Sequence, residues 1–235
     1  MARLKRQDRE RQIVDGAIKF FAERGFSGQT RELARSLGIT QPLLYRYFPS
    51  KQALIDRVHD ELFLRRWNPH WESLVGDRSF ELPERIRLFY TEFCNAIFSR
   101  EWVRMFVYSG LDHVGYNRQV LANIESRILR RLCVELRVAC GYTEARPDEL
   151  TQAELEYVWE LHGIAFYYHV RKHVYDLPVL SSVADLVANM GSMFVAGGNE
   201  VLARNVGKPT VEATNPATSG RTVLTSSSHG KIIDR

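Results

Sequence analysis

The chain has 235 residues, 45% hydrophobic and 26% charged, with only 8 Pro and 15 Gly. That composition fits a folded protein of one or two domains and excludes collagen-like, low-complexity and wholly disordered classes. The formal net charge is +4, unevenly placed: residues 1–60 hold 12 Lys/Arg against 7 Asp/Glu, and the remainder 20 against 21. A basic module on a near-neutral body points to a polyanion partner for the first quarter alone, with a solvated cationic face as the plainer reading. The longest weakly polar run, 179–198, is broken by Asp185 and Asn189, so no stretch reaches the ~20 apolar residues of a membrane span. Residues 1–12 lack an apolar core, and no secretory signal is expected. Cys94, Cys133 and Cys140 are an odd count without metal-ligand spacing. These features predict a cytoplasmic protein with reduced thiols and no membrane partner.

In chain order, nearly every segment reads as helix. Ile13, Ala17, Phe20 and Phe21 form one apolar stripe, predicting a helix over 8–24 with Asp8 as N-cap and Gly25 as its left-handed stop. A short helix over 30–37 follows, with Leu33, Ala34 and Leu37 inward, and Gly38 ends it. Thr40 suits the N-cap of a third helix reaching Phe48, and Pro42 suits its first turn, where a missing N–H costs nothing. Ser50 caps a fourth helix beginning at Lys51. Further on, Leu82, Ile86, Phe89, Phe93 and Ile97 mark a helix from near Pro83, and Leu121, Ile124, Ile128, Leu132 and Leu136 another that ends at Gly141. Thr151 to Glu154 form a capping box opening a helix to about Tyr175, and Ser182 caps a last helix to about Arg204. After Asn205 the sequence turns to Thr, Ser, Gly, Pro and Asn, which predicts a flexible tail over 205–235. With no alternating strand pattern and no internal repeat, the fold class is all-α.

The second and third helices, with Gly38 between them, form a helix-turn-helix. Gly38 allows the sharp turn, Leu44 and Phe48 anchor the back of the third helix, and its polar N-terminal face is left to enter a major groove. Residues 30–58, TRELARSLGITQPLLYRYFPSKQALIDRV, with GAIKFFAERGF at 16–26 before them, strongly resemble the DNA-binding domain of the TetR family of bacterial transcription regulators. The specific marks are Leu33-Ala34, Leu37-Gly38-Ile39 and the Tyr45-x-Tyr47-Phe48-x-x-Lys51 run, and the likeness covers about residues 8–60 without a gap. The later helices resemble the family's ligand-binding and dimerisation bundle in length and number only.

The resemblance implies a basic arm (1–7), a three-helix DNA-binding domain (8–50), a larger helical ligand-binding and dimerisation domain (51–204) whose first helix joins the two, and the tail. It also implies residue roles. Gln41 opens the recognition helix and suits adenine through a bidentate amide contact, while Pro42 or Leu43 meets a thymine methyl. Tyr45 and Tyr47 offer hydroxyls or rings to the sugar-phosphate backbone, with a core ring as the alternative for each. Arg46 suits a guanine or a phosphate, and Lys51 a phosphate. Thr30 and Arg31 suit phosphate or base contacts. Gln29 departs from the Thr or Ser that usually caps the second helix, and Ser27 or Thr30 would take over. Arg3, Lys5, Arg6, Arg9 and Arg11 form an arm for an adjacent minor groove, or else a solvated tail.

In the body, the aromatics Phe89, Phe93, Trp102, Phe106, Tyr108, Trp159 and Phe166 are candidate walls of a mostly apolar ligand pocket, with Cys94 and His162 as its polar groups. Singly, each ring reads more readily as core. His169 and His173, one turn apart, have a spacing that grips metals, but a further ligand such as Asp112 or His113 would be needed. Satisfied, partly buried histidines are the preferred reading, and neither metal nor cofactor is expected. The small residues Ala188, Gly191, Ser192, Ala196, Gly197 and Gly198 let another helix approach, and the resemblance implies a homodimer through the last two long helices. The function expected is a transcriptional regulator, a repressor released from a palindromic double-stranded DNA operator by a small, largely apolar effector. A ligand-independent architectural DNA-binding protein is the alternative. A helical enzyme is third: no GxSxG, HExxH or phosphate loop is present, no catalytic residue stands out, and the acidic pair Glu154 and Glu156 reads as solvated charge.

Overall fold

The computed structural model describes residues 6–112 and 115–207. Among them every regular element is a helix. α1 (Arg6–Arg24), α2 (Thr30–Ser36) and α3 (Gln41–Tyr47) make a small head. α4 (Lys51–His59) leaves it and runs directly into a π-helical turn, Asp60–Leu64. α5 (His70–Gly76), α6 (Leu82–Ile97) and α7 (Arg100–Leu111) begin the body. α8 (Tyr116–Ile124), a second π turn (Glu125–Leu129) and α9 (Arg130–Ala139) form one continuous rod. α10 (Gln152–His173) and α11 (Val183–Asn205) complete it. No helix among the described residues is long and apolar enough to cross a membrane.

Local chemistry accounts for most boundaries. Thr40 Oγ1 accepts from Leu43 N, Ser50 Oγ from Ala53 N, and Thr151 and Ser182 close capping boxes with Glu154 and Asp185. Gly25 and Gly38 stop α1 and α2 at φ +70° and +63°. At Gly38 nothing lies within 4 Å of where a Cβ would sit, so its dihedral alone demands glycine.

Other boundaries depart from the sequence reading. Helical structure is present from Arg6, so Asp8 lies inside the first turn rather than capping it, and Arg6, Arg9 and Arg11 belong to α1 rather than to an arm. Arg3 and Lys5 lie outside the described residues, as does the tail beyond Gly207. The N-cap of α2 is Gln29 itself, without a side-chain hydrogen bond; neither Ser27 nor Thr30 takes the role. Glu154 is not solvated charge: it is 1% exposed and bound by Arg137 at 2.6 and 2.8 Å. The long stripe ending near Gly141 is interrupted by the π turn. Its signal was present, since Ile124, Ile128, Leu132 and Leu136 recur in three consecutive four-residue steps. In a pure α-helix those steps drift by about 120° in total, whereas the wider π turn keeps all four buried.

The small-residue stripe of α11 divides by role. Gly191, Gly197 and Gly198 serve packing within the chain, where a Cβ would lie 2.4 Å from Pro83 O, 2.6 Å from Tyr157 Oη and 2.6 Å from Leu136 Cδ1. Ala188, Ser192 and Ala196 remain exposed. Because the obstacle at Gly191 is backbone, Gly191→Ala is expected to cost about 1–3 kcal/mol of stability by overpacking the α6–α11 contact. Urea unfolding of the variant against the parent checks this.

Candidate nucleic-acid interface and ligand chamber

The head is organised around Thr30. Its hydroxyl, 8% exposed, meets Tyr45 Oη at 2.9 Å and accepts from Gln41 Nε2 at 3.0 Å. The start of α2 is thereby tied to the start and middle of α3, fixing the angle at which α3 is offered. Thr30 is therefore a buried hub rather than a free contact, and Gln41 keeps its amide oxygen free. Pro42, Tyr45 and Arg46 are exposed, Gln41, Leu43, Tyr47 and Lys51 half-buried, and Arg31 exposed on α2. Of the two tyrosines, Tyr47 packs against the core and Tyr45 faces outward. Leu44, 1% exposed, anchors the opposite side of α3.

α7 joins head to body. On one side Arg104 Nε donates to Ala22 O at 2.6 Å, Asp112 accepts from Phe26 N at 3.3 Å, and the Tyr108 ring lies under Gly25. Arg100 and Arg104 also reach His173 O at 3.5 and 3.4 Å, at the end of α10. On the other side, Trp102 and Phe106 stack at 4.9 Å with their planes 8° apart and wall a cavity of about 310 Å³. Phe93, Val120, Leu121, Ile124, Trp159, His162, Gly163 and Phe166 complete that chamber.

Six of the nine expected pocket residues thus converge: Phe93, Trp102, Phe106, Trp159, His162 and Phe166. Three lie elsewhere. Phe89 is buried against Trp71 and Tyr90, Cys94 is sealed in the core, and Tyr108 belongs to the contact between α7 and the head. The aliphatic wall from α8 was missed, because branched residues on a short amphipathic helix carry no mark distinguishing cavity from core. A recess of about 150 Å³ shares Phe93, Trp102, Val120 and Ile124 with the chamber and opens beside Leu64, Trp67, Asn123 and Arg127. Both π turns border it. A larger groove of about 970 Å³ runs along α1 and α2, lined chiefly by charged and polar side chains.

Residues 13–58 match the family model for bacterial regulatory proteins, tetR family. That segment is about a fifth of the chain, and the likeness to the tetR family rests on it. Its relatives include the tetracycline repressor protein class D of Escherichia coli, 41% identical over 66 residues, which are 28% of this chain and 28% of that protein. YuxN, an HTH-type transcriptional regulator of Bacillus subtilis (strain 168), is 34% identical over 67 residues, 26% of this chain and 23% of its own length. The match therefore spans about a quarter of the length of these curated relatives. Among solved structures, a TetR-like transcriptional regulator from Rhodococcus sp. RHA1 superposes with TM-score 0.56 at 21% identity, covering 83% of this chain and all of that one. The fatty acid degradation regulator FadR from Bacillus halodurans superposes with TM-score 0.59 at 15% identity, covering 83% and 98%. At such identities these two structures establish the fold, a helix-turn-helix head on a helical body.

Among the described residues three histidines are buried, His59, His162 and His169. Burial lowers the pKa of His59 and pushes His162 and His169 down to about 4. His169 corrects the expectation of satisfied histidines: neither ring nitrogen has a hydrogen-bond partner, and the ring stacks on His173 at 5.7 Å. His113 lies outside the described residues, and Asp112 is engaged with Phe26. Among the described residues no three metal-ligating side chains gather. Elsewhere, three arginines converge on Glu135, which is fully buried: Arg78 at 2.9 Å, Arg85 at 2.8 Å and Arg131 at 2.8 Å. Burial pushes that carboxyl up, but hydrogen bonds from Arg78 and Arg85 outweigh it and hold it below the usual range.

The histidines make stability depend on pH. An unfolded imidazole takes up its proton near pH 6.5, whereas His162 and His169 do so near 4 in the folded chain. Between those values the unfolded state binds the extra protons, so stability is lost as pH falls from about 6.5 to about 4. The loss is at most about 1.4 kcal/mol per pH unit for each ring. Urea midpoints of His169→Phe should fall less steeply than the parent's across that window; parallel slopes would contradict a buried neutral ring.

Proposed function

We propose that the chain is a sequence-specific DNA-binding transcriptional repressor, acting as a homodimer and released from its operator by a small, largely apolar effector in the α6–α7–α8–α10 chamber. The observation that carries this reading is the two-sided α7, which walls the chamber with Trp102 and Phe106 and grips the head with Arg104, Tyr108 and Asp112. A ligand that fits the chamber better when α7 is displaced must weaken operator binding by its own differential affinity. A coupling of ~3 kcal/mol would release DNA about 150-fold.

A second route runs through α4. Tyr116 Oη donates to Asp56 and accepts from Gln52 Nε2 at 2.8 Å, and its ring stacks on His59 at 4.1 Å. α8, which walls the chamber, is thereby pinned to the helix leaving the head. Pairing of two copies is supported by the face that α10 and α11 share, where Ile164, Tyr167 and Met193 are 41%, 56% and 64% exposed beside Ala188, Ser192 and Ala196. Twofold symmetry would then present two α3 helices to a palindromic site. Met193→Glu should shift the protein toward monomer in sedimentation while leaving its helical content unchanged.

On the head, Gln41 through its free amide oxygen, with Pro42 and Leu43, is assigned to base edges. Tyr45, Tyr47, Arg46, Arg31 and Lys51 are assigned to the backbone, and Thr30 to holding Gln41 and Tyr45 in place. Footprinting on DNA flanking the protein's own coding region, repeated across salt concentrations, tests the reading; smearing without a discrete symmetric site contradicts it. On the site so found, Lys51→Ala should weaken all sequences alike and lower the salt slope by about 1. Gln41→Ala should cost about 1–3 kcal/mol at a single base pair.

A further inference from the structure

The chamber is walled almost wholly by apolar surface. Among the residues that line it, His162 alone carries a titratable side chain; the others are aromatic, aliphatic or glycine. His162 is 8% exposed, and its Nδ1 lies 3.4 Å from Tyr90 Oη. Tyr90 is fully buried, and burial holds its phenol protonated well beyond the ordinary range. A buried phenol needs an acceptor, and Nδ1 is its one hydrogen-bonding neighbour among the described residues. Tyr90 therefore donates and Nδ1 accepts. With the imidazole neutral, as its value of about 4 requires at pH 7, the ring's single proton is on Nε2, the opposite edge of the ring, where no hydrogen-bond partner is present. The chain thus holds an oriented imidazole N–H donor, nine-tenths buried, in a wall whose other N–H groups are the indoles of Trp102 and Trp159.

Three further observations narrow what that donor meets. At about 310 Å³ the chamber is at the small end of ligand pockets, which run ~300–1,000 Å³. Its walls include the parallel Trp102 and Phe106 pair, with Phe166 edge-on to Phe106 at 5.3 Å, a geometry suited to flat rings. No uncompensated cation faces it: Arg127, in the outer recess, stacks over Trp67 at 5.1 Å and pairs with Glu72 at 3.3 Å. A charged ligand group would be buried there without a counter-ion, at a cost the site cannot offset.

We propose that the chamber takes an uncharged, flat aromatic molecule of one or two rings bearing a carbonyl-type oxygen, which accepts a hydrogen bond from His162 Nε2–H. This rests on the effector reading of the chamber and specifies its ligand class. Tyr90 acts through His162 as a positioning residue that selects the donor tautomer, so the site discriminates between acceptor and donor ligands of the same shape.

The test is calorimetric titration of the full chain, without DNA, using four probes of similar size: 2-acetylnaphthalene, 2-ethylnaphthalene, 2-naphthoate and 2-naphthol. The neutral ketone should bind about tenfold tighter than the hydrocarbon, and about tenfold or more tighter than the carboxylate. His162→Phe should abolish the difference between ketone and hydrocarbon while leaving the hydrocarbon within about threefold. Tyr90→Phe frees the tautomer and should raise the affinity of the donor probe 2-naphthol relative to the ketone. Equal binding of ketone and hydrocarbon in the parent protein overturns the proposal while leaving the chamber a ligand site, and so does a preference for naphthoate. Binding of none of the probes overturns both the proposal and the effector part of the functional reading. The DNA-binding part is decided separately, by the footprint without ligand.

Discussion

The structure hangs on one guanidinium. Arg104, largely buried at the middle of α7, donates to the carbonyl of Ala22 near the end of α1 and to that of His173 at the end of α10. The last carbonyls of a helix have no partner within it and carry the negative end of its dipole, so a cation between two such ends satisfies both. Arg100 repeats the device one turn earlier with Glu23, Asp176 and His173 O. The head is thus gripped by charge at the end of α1 in addition to the apolar core it shares with the body.

Elsewhere in the body the clamps are buried ones. Glu135, with three arginines on one carboxylate, locks α6 to α9, and removing one partner of a buried pair typically costs 3–5 kcal/mol. Gly191 brings α11 onto the backbone of Pro83. The chamber has walls on α6 and α10 and two others on α7 and α8, which also carry contacts to α1 and α4.

How much of this was legible in the sequence follows from the range of the interactions. Caps at Thr40, Ser50, Thr151 and Ser182, and the left-handed stops at Gly25 and Gly38, act over three or four residues and could be read directly. The head's identity rested on one gapless motif, and six chamber residues were legible because aromatics at helical spacing mark large inward faces. What escaped depends on distant partners. Glu154 looked solvated until Arg137 arrived from another helix. Tyr108 looked like a pocket wall, yet its neighbour is Gly25, far away in sequence. Thr30 looked like a contact to DNA, but its hydroxyl is spent on Tyr45 and Gln41. The glycines of α11 signalled close approach correctly without saying whether the approaching backbone was a partner's or the chain's own.

The two π turns give chain length itself a meaning here. Each holds one residue more than an α-helix of the same span needs, and the second keeps Ile124 and Ile128 in phase with Leu132 and Leu136 along a single rod. Deleting one residue from 125–129 would restore an uninterrupted α-helix in the same phase, whereas deleting two would turn α8 relative to α9 by about 100°. Val120, Leu121 and Ile124 would then swing away from the chamber while α9 stayed clamped through Glu135. The mouth between Leu64 and Arg127 is therefore set by a count of residues as well as by their chemistry. An insertion in this rod, or a deletion beyond that one residue, would reshape the chamber though harmless to helix propensity.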